Sequence, residues 1–198
     1  MIKAIIFDIG GVCYLGTMKP AFEALSKELN SEDVVKLYNK HEENMLAGKL
    51  KAEAFCKLLS DKTNLSPDSI HKIVLKVWKN FFKPNSELKD LINKLSKKYK
   101  IACLSNATDF DTEHDKISGF GEIFNPYLNS CDYGLIKPDK KFFLLALEKL
   151  NLTAKECVFI DDKQENVDIS KSIGFAGLKY TSVPQLIKEL KALEVKYD

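Results

Sequence analysis

Three polar groups in this chain of 198 residues stand directly behind short apolar runs. Asp8 follows Ile5-Ile6-Phe7, Ser105-Asn106 follow Ile101–Leu104, and Asp161-Asp162 follow Val158–Ile160. Apolar runs this short, bounded by polar residues or glycine, read as buried strands. In an open parallel sheet the ligand crevice lies outside the carboxyl ends of the strands. The three groups are therefore expected to face one crevice, although 154 positions separate the first from the last.

Asp8 begins Asp8-Ile9-Gly10-Gly11-Val12. Glycine lets the chain turn tightly and bring backbone N–H groups close to an anion. A carboxylate beside such a nest is placed to attack phosphorus and form an aspartyl-phosphate. Taken alone, the same pattern also describes a turn-capping aspartate. Asp161 and Asp162 repel one another unless a cation or hydrogen-bond donors intervene, and oxygen-only ligands suit Mg2+. In isolation the pair could equally cap the helix that begins near Gln164, with Asn166 orienting that loop. Ser105 and Asn106 offer a hydroxyl and an amide to phosphoryl oxygens. Lys137, in Gly134-Leu135-Ile136-Lys137-Pro138-Asp139, sits just ahead of a turn into a helix and is the candidate cation for a phosphate.

The elements that must position these residues read as an α/β fold. The first apolar run reaches back to Ile2, as Ile2–Phe7, and Phe175–Leu178 brings the number of runs to four. Between the later ones lie amphipathic helices, Ser86–Lys97 with Leu88, Leu91, Ile92 and Leu95, and Lys140–Leu150 with Phe143, Leu144, Leu147 and Leu150. Strands alternating with helices predict a doubly wound, Rossmann-like parallel sheet covered on both sides. The stretch from Leu15 to Phe82 has helical patterning and no strand. Pro20 opens one helix carrying Phe22, Leu25 and Leu29. A second starts near Ser31 as N-cap, a third covers Ala52–Leu59, and Ser66-Pro67 starts a fourth carrying Ile70, Val74, Val77 and Trp78. The expected division is a core of residues 1–14 and 84–198 with a small helical cap, 15–83, inserted after the first strand. The cap's aromatic residues (Phe22, Tyr38, Phe55, Trp78, Phe81, Phe82) read as core packing at helical spacing.

Composition narrows the partners. Hydrophobic residues make up 45% and charged residues 29%, and 30 basic against 28 acidic residues leave a net charge of +2. The lysines are scattered, so there is no electrostatic footprint for nucleic acid or an anionic membrane. The five cysteines are far apart and form no C-x-x-C pair, which fits buried free thiols in a reducing compartment. Ile2–Phe7 is too short for a signal-peptide core or a membrane span. The expectation is a cytoplasmic protein, a monomer or small homo-oligomer, with a small phosphorylated substrate.

As an ordered set, Phe7-Asp8-Ile9-Gly10-Gly11-Val12, Leu104-Ser105-Asn106, Lys137-Pro138-Asp139 and Phe159-Ile160-Asp161-Asp162 with Asn166 resemble the haloacid dehalogenase superfamily of phosphohydrolases. The spacing agrees, with 97 residues from Asp8 to Ser105, 32 more to Lys137 and 24 more to Asp161. The small cap resembles the branch holding α-glucose-1-phosphate phosphatase and the N-terminal phosphatase domain of soluble epoxide hydrolase. The resemblance implies Asp8 as nucleophile and magnesium ligand and Gly10 as a carbonyl ligand to the metal. It implies Ser105, Asn106, Lys137, Gly10 and Gly11 as the phosphate site, with Asp161 and Asp162 holding Mg2+, at least one of them directly. One departure stands out. Most phosphatases of the superfamily carry a second aspartate, a general acid and base, where this chain has Gly10. A cap or loop residue (His41, Glu42, Asp109, His114) could substitute, the substrate could carry a good leaving group, or catalysis could be slow. Two other functions fit the same motifs: a 2-haloacid dehalogenase, which has no use for the Asp161-Asp162 pair, and a non-catalytic sensor of phosphometabolites.

Overall fold

The computed structural model describes residues 1–16 and 18–196. Strand β1 (Ala4–Phe7) leads through the two-residue β2 (Tyr14–Leu15) into helices α1 (Met18–Glu28), α2 (Asp33–Leu46), α3 (Ala52–Ser60) and α4 (Pro67–Phe81). Next come β3 (Lys83–Pro84), α5 (Ser86–Leu95), β4 (Lys100–Ser105), α6 (Asp109–Ser118), β5 (Tyr127–Asn129) and the short α7 (Ser130–Tyr133). Helix α8 (Lys140–Leu150), β6 (Cys157–Asp161), α9 (Gln164–Ile173), β7 (Ala176–Lys179) and α10 (Val183–Ala192) complete the chain.

The main sheet has the order β5-β4-β1-β6-β7, and all of its pairings are parallel. The chain runs outward from β1 through β4 to β5, then restarts on the other side of β1 with β6 and β7. That reversal makes β1 the switch point at which a crevice opens. Phe7 is level with Cys103 of β4 and Ile160 of β6. Asp8, one residue on, therefore emerges beside Asp161, and its N–H donates to the Ile160 carbonyl at 2.8 Å.

Side chains alternate cleanly across the sheet, as period-two geometry requires. Ile5, Phe7, Cys103, Val158 and Ile160 enter one core, covered by α5 and α10. Ala4, Ile6, Leu104, Cys157 and Phe159 enter the other, covered by α8. Helices α1–α4 share a third core of their own, joined by Phe110 of α6. The antiparallel pair β2–β3, Tyr14 opposite Pro84 and Leu15 opposite Lys83, brackets this helical block. No helix among the described residues is long and apolar enough to cross a membrane. All five cysteines are buried and free.

Several expectations need correction. The first helix begins at Met18, so Pro20 lies inside its first turn, where its missing N–H lacks an intrahelical partner in any case. Glu32, not Ser31, is the N-cap of α2; Ser31 Oγ instead accepts from the Asp33 N–H at 3.3 Å. On α8 the buried set is Phe142, Phe143, Ala146 and Leu150, whereas Leu144 is 52% exposed. The sheet has a fifth strand, β5, too short for any periodicity to show. Helix α6 is also additional: only Phe110, His114 and Asp115 are buried on it, so it carries no apolar stripe. Its start was nevertheless written in Thr108-x-x-Asp111, which forms a capping box.

Candidate active site

The loops leaving β1, β4 and β6 and the segment before α8 converge on one cavity of about 360 Å³. Asp8, Gly10, Gly11, Ser105, Asn106, Lys137 and Asp162 all line it. Lys137 is the hub. Its ammonium donates to Asp8 Oδ1 at 2.8 Å and to Asp161 Oδ2 at 2.7 Å, and all three side chains are almost wholly buried. The lysine is held from behind by Asn106, whose Nδ2 donates to the Lys137 carbonyl at 2.9 Å while its Oδ1 accepts the Lys137 N–H at 2.7 Å. The Asn106 side chain thus places the lysine through both of its polar atoms, and its second amide N–H is not used by these bonds. Ser105 ends β4 and is buried on the cavity wall.

The two acids after β6 have different surroundings. Asp161 accepts from Lys137, from Asn166 Nδ2 at 2.9 Å and, through Oδ1, from the Lys163 N–H at 2.8 Å. Both of its oxygens are engaged by the protein. The Asp162 Oδ1 atom, by contrast, is buried and has no partner. Carboxylate oxygens of Asp8, Asp161 and Asp162 lie within 4.8 Å of one another. Gly11 makes this approach possible: at φ +74° its backbone is left-handed, and a Cβ there would stand 2.5 Å from Asp162 Oδ2.

Three carboxylates face the buried ammonium of Lys137 and the exposed one of Lys163, which also lines the cavity, so negative charge is in excess before any phosphate arrives. Burial pushes the Asp8 carboxyl up to about 6, with Lys137 pulling it down and Asp161 adding to the rise. Burial and then the neighbouring Asp161 also raise Asp162. Burial opposes the charge of Lys137, but Asp8 and Asp161 together outweigh it and hold the ammonium above its usual range. An oxygen-ligated divalent cation fits this set, since the unpartnered Asp162 Oδ1 and the Asp8 carboxylate are the ligands it takes.

Of the four residues weighed as substitutes for the acid missing at Gly10, Glu42 and His114 line the cavity and His41 and Asp109 do not. Asp109 instead ties α6 to the helical block, accepting from the Ala52 N–H at 3.1 Å and from Lys51. Burial lowers the His114 pKa, and its Nε2 faces the Phe82 carbonyl at 3.2 Å. Asp115, a neighbour that sequence reasoning passed over, also lines the cavity. It is 2% exposed, accepts a short hydrogen bond from the Tyr127 hydroxyl, and is pushed by burial up to about 7 against the hydrogen bonds of Tyr127 and Tyr14. Nothing in its local sequence marks it, because its partners arrive from β5 and β2.

A sequence model of the haloacid dehalogenase-like hydrolases matches residues 2–174. The chain belongs to this family. Among the proteins similar to it is the D-ribitol-5-phosphate phosphatase of Bacteroides thetaiotaomicron, 28% identical over 187 residues that cover 88% of this chain and 90% of that protein. The sesquiterpene phosphatase of Aspergillus oryzae is 26% identical over 195 residues, covering 96% of each. Mouse acyl-CoA dehydrogenase family member 10 is 26% identical over 206 residues, and the chain spans 19% of its length. In fold, a haloacid dehalogenase family enzyme of Bacteroides thetaiotaomicron, solved as a magnesium complex, superposes with a TM-score of 0.82 at 20% identity over 94% of this chain and 98% of that one.

Proposed function

We propose that this hydrolase is a Mg2+-dependent phosphatase of small organic phosphate monoesters, with Asp8 as nucleophile and residues 15–83 as a cap over the site. The observation that carries the reading is the convergence of Asp8, Asp161 and Asp162 around the single buried ammonium of Lys137. Asp8 and Asp162 would hold the metal directly, with the Gly10 carbonyl. Asp161, already engaged by Lys137, Asn166 and Lys163, would fix the lysine beside it. The metal would supply charge neutralisation for the phosphoryl oxygens.

The protein's own groups then carry the rest. Lys137 balances the dianion, and the Ser105 hydroxyl with the Gly10–Gly11 turn amides holds its oxygens. An Asp8 oxygen attacks phosphorus as the ester P–O bond breaks, and the leaving alcohol takes up a proton. Water attacks the aspartyl-phosphate, releasing inorganic phosphate and restoring Asp8. Position 10 supplies no acid, so that proton comes from solvent or from the α6 wall. The full-length relatives act, by name, on a polyol phosphate and on a sesquiterpene phosphate, which supports a phosphate monoester as substrate without choosing its organic part.

The test is phosphate release from a panel of monoesters and acyl phosphates, with Mg2+ and with EDTA. Magnesium-dependent release supports the reading. Binding of phosphate without turnover of any substrate would replace it with a non-catalytic sensor.

A further inference from the structure

Above the phosphate end, the cavity wall changes character. The helical block contributes Met18, Tyr38, Leu46, Trp78 and Phe82, and Tyr14 adds a further ring. Tyr38 and Trp78 also pack in the core of the block. The aromatic content of residues 15–83 is thus core and cavity wall at once, not core alone.

The polar groups on this wall are engaged elsewhere. The Trp78 indole N–H donates to Asp111 Oδ1 at 2.8 Å. The other Asp111 oxygen accepts the Thr108 N–H and hydroxyl, each at 2.8 Å. His114 is turned to the Phe82 carbonyl and Asp115 to Tyr127. What remains among the described residues is the Tyr38 hydroxyl, the second ring nitrogen of His114 and Glu42, an exposed carboxylate whose charge disfavours a second anionic group. A sugar or polyol chain entering here would satisfy only a few of its hydroxyls on these groups; the others would face apolar carbon and lose hydrogen bonds to water without replacement.

We infer that the leaving group of the substrate is an uncharged, mainly apolar chain or ring, and that Met18, Leu46, Trp78 and Phe82 select it. The inference rests on the phosphatase reading for the reaction, and on this wall for the choice of ester. A cavity of about 360 Å³ lies at the lower end of the usual range for organic ligands, roughly 300–1,000 Å³, so the tail is short or a single ring system. Each methylene transferred from water to such a wall strengthens transition-state binding by roughly threefold to tenfold.

The experiment is a set of kcat/KM values with Mg2+ for n-alkyl phosphates from methyl to octyl, with glucose-6-phosphate and ribitol-5-phosphate as polar comparators. The expected result is a rise of roughly fourfold per methylene that levels when the cavity is full, with hexyl phosphate at least about tenfold above glucose-6-phosphate, its partner in carbon count. In Leu46→Asn and Met18→Gln the hexyl-to-methyl ratio should fall about tenfold. A flat series, a preference for the sugar phosphates, or an unchanged ratio in both variants overturns the inference while leaving the phosphatase reading intact. If no ester is turned over, the phosphatase reading fails by itself. Calorimetric binding of hexylphosphonate against methylphosphonate, with Mg2+ present, then decides the wall: tighter binding of the longer tail upholds it, and equal binding overturns it.

Discussion

The Lys137 ammonium lies 2.8 Å from the Asp8 carboxylate although 129 positions separate the two residues, and both are buried. With Asp161 at 2.7 Å on its other side, the lysine is what allows two acids to remain side by side at the end of β1 and β6. Replacing it with methionine keeps the volume and removes the charge. Breaking a buried pair from one side typically costs about 3–5 kcal/mol, so Lys137→Met should lose about that much stability to urea in EDTA. Phosphatase activity should fall at least about 100-fold. Urea melts and phosphate release on the same preparation check both.

The two glycines after Asp8 should respond differently to substitution. A Cβ on Gly10 meets nothing within 4 Å, whereas on Gly11 it would collide with Asp162 in a backbone held at φ +74°. Gly11→Ala should lose about 1–2 kcal/mol of stability and weaken Mg2+ activation, as Asp162 is displaced. Gly10→Ala should be close to neutral. Gly10→Asp, whose Cβ meets nothing within 4 Å, should raise kcat on alkyl phosphates, whose alkoxides leave poorly, by about tenfold or more. It should do little for acetyl phosphate. Thermal melts with Mg2+ titrations, and a comparison of the two substrates, check these outcomes.

Asp115 should make stability depend on pH. Its folded carboxyl is raised by burial from 3.8 to about 7, with Tyr127, Tyr14, Asp111 and Asp8 as the groups facing it. The folded chain therefore holds a proton there that the unfolded chain releases near 3.8. Its contribution is fully present below pH 4 and is lost as pH rises towards 7, a decline on the order of 4 kcal/mol. Asp115→Asn cannot titrate and should remove this part of the slope. Urea midpoints at pH 4.5 and 7.5 in EDTA, for both proteins, read the difference.

Trp78 is the single tryptophan of the chain, and its N–H bond to Asp111 joins α4 to α6. Asp111 also closes the capping box with Thr108. Asp111→Ala removes the indole's partner and half of the cap, and should cost about 2 kcal/mol. Because Trp78 lines the cavity, its fluorescence should shift in the variant and on binding of an alkylphosphonate to the wild type. Fluorescence-monitored urea melts and titrations measure both.

The parts of the site that were legible in the sequence sit at strand ends. Asp8, Ser105 and Asp161 each terminate an apolar run, and parallel strands place such ends together without long-range information. Lys137 was legible from its loop setting, but not its partners, since nothing local shows that one ammonium would reach both Asp8 and Asp161. The unequal surroundings of Asp161 and Asp162 depend on Asn166 and on the approach of Gly11, which only the folded chain displays. Helix α6 escaped because it is buried largely through His114 and Asp115, where an apolar stripe would normally signal a helix. Asp115 escaped with it, and so did the cavity wall, because core and wall share the same apolar periodicity at Tyr38 and Trp78.

The central claim is that Asp8 attacks phosphorus. The direct measurement is intact-protein mass spectrometry of wild type and Asp8→Asn, quenched in acid during Mg2+-supported turnover of acetyl phosphate and of the best ester. The account predicts a transient phosphoryl adduct on wild type that maps to Asp8, no adduct on Asp8→Asn, and loss of phosphate release in that variant. Undiminished release by Asp8→Asn would contradict it.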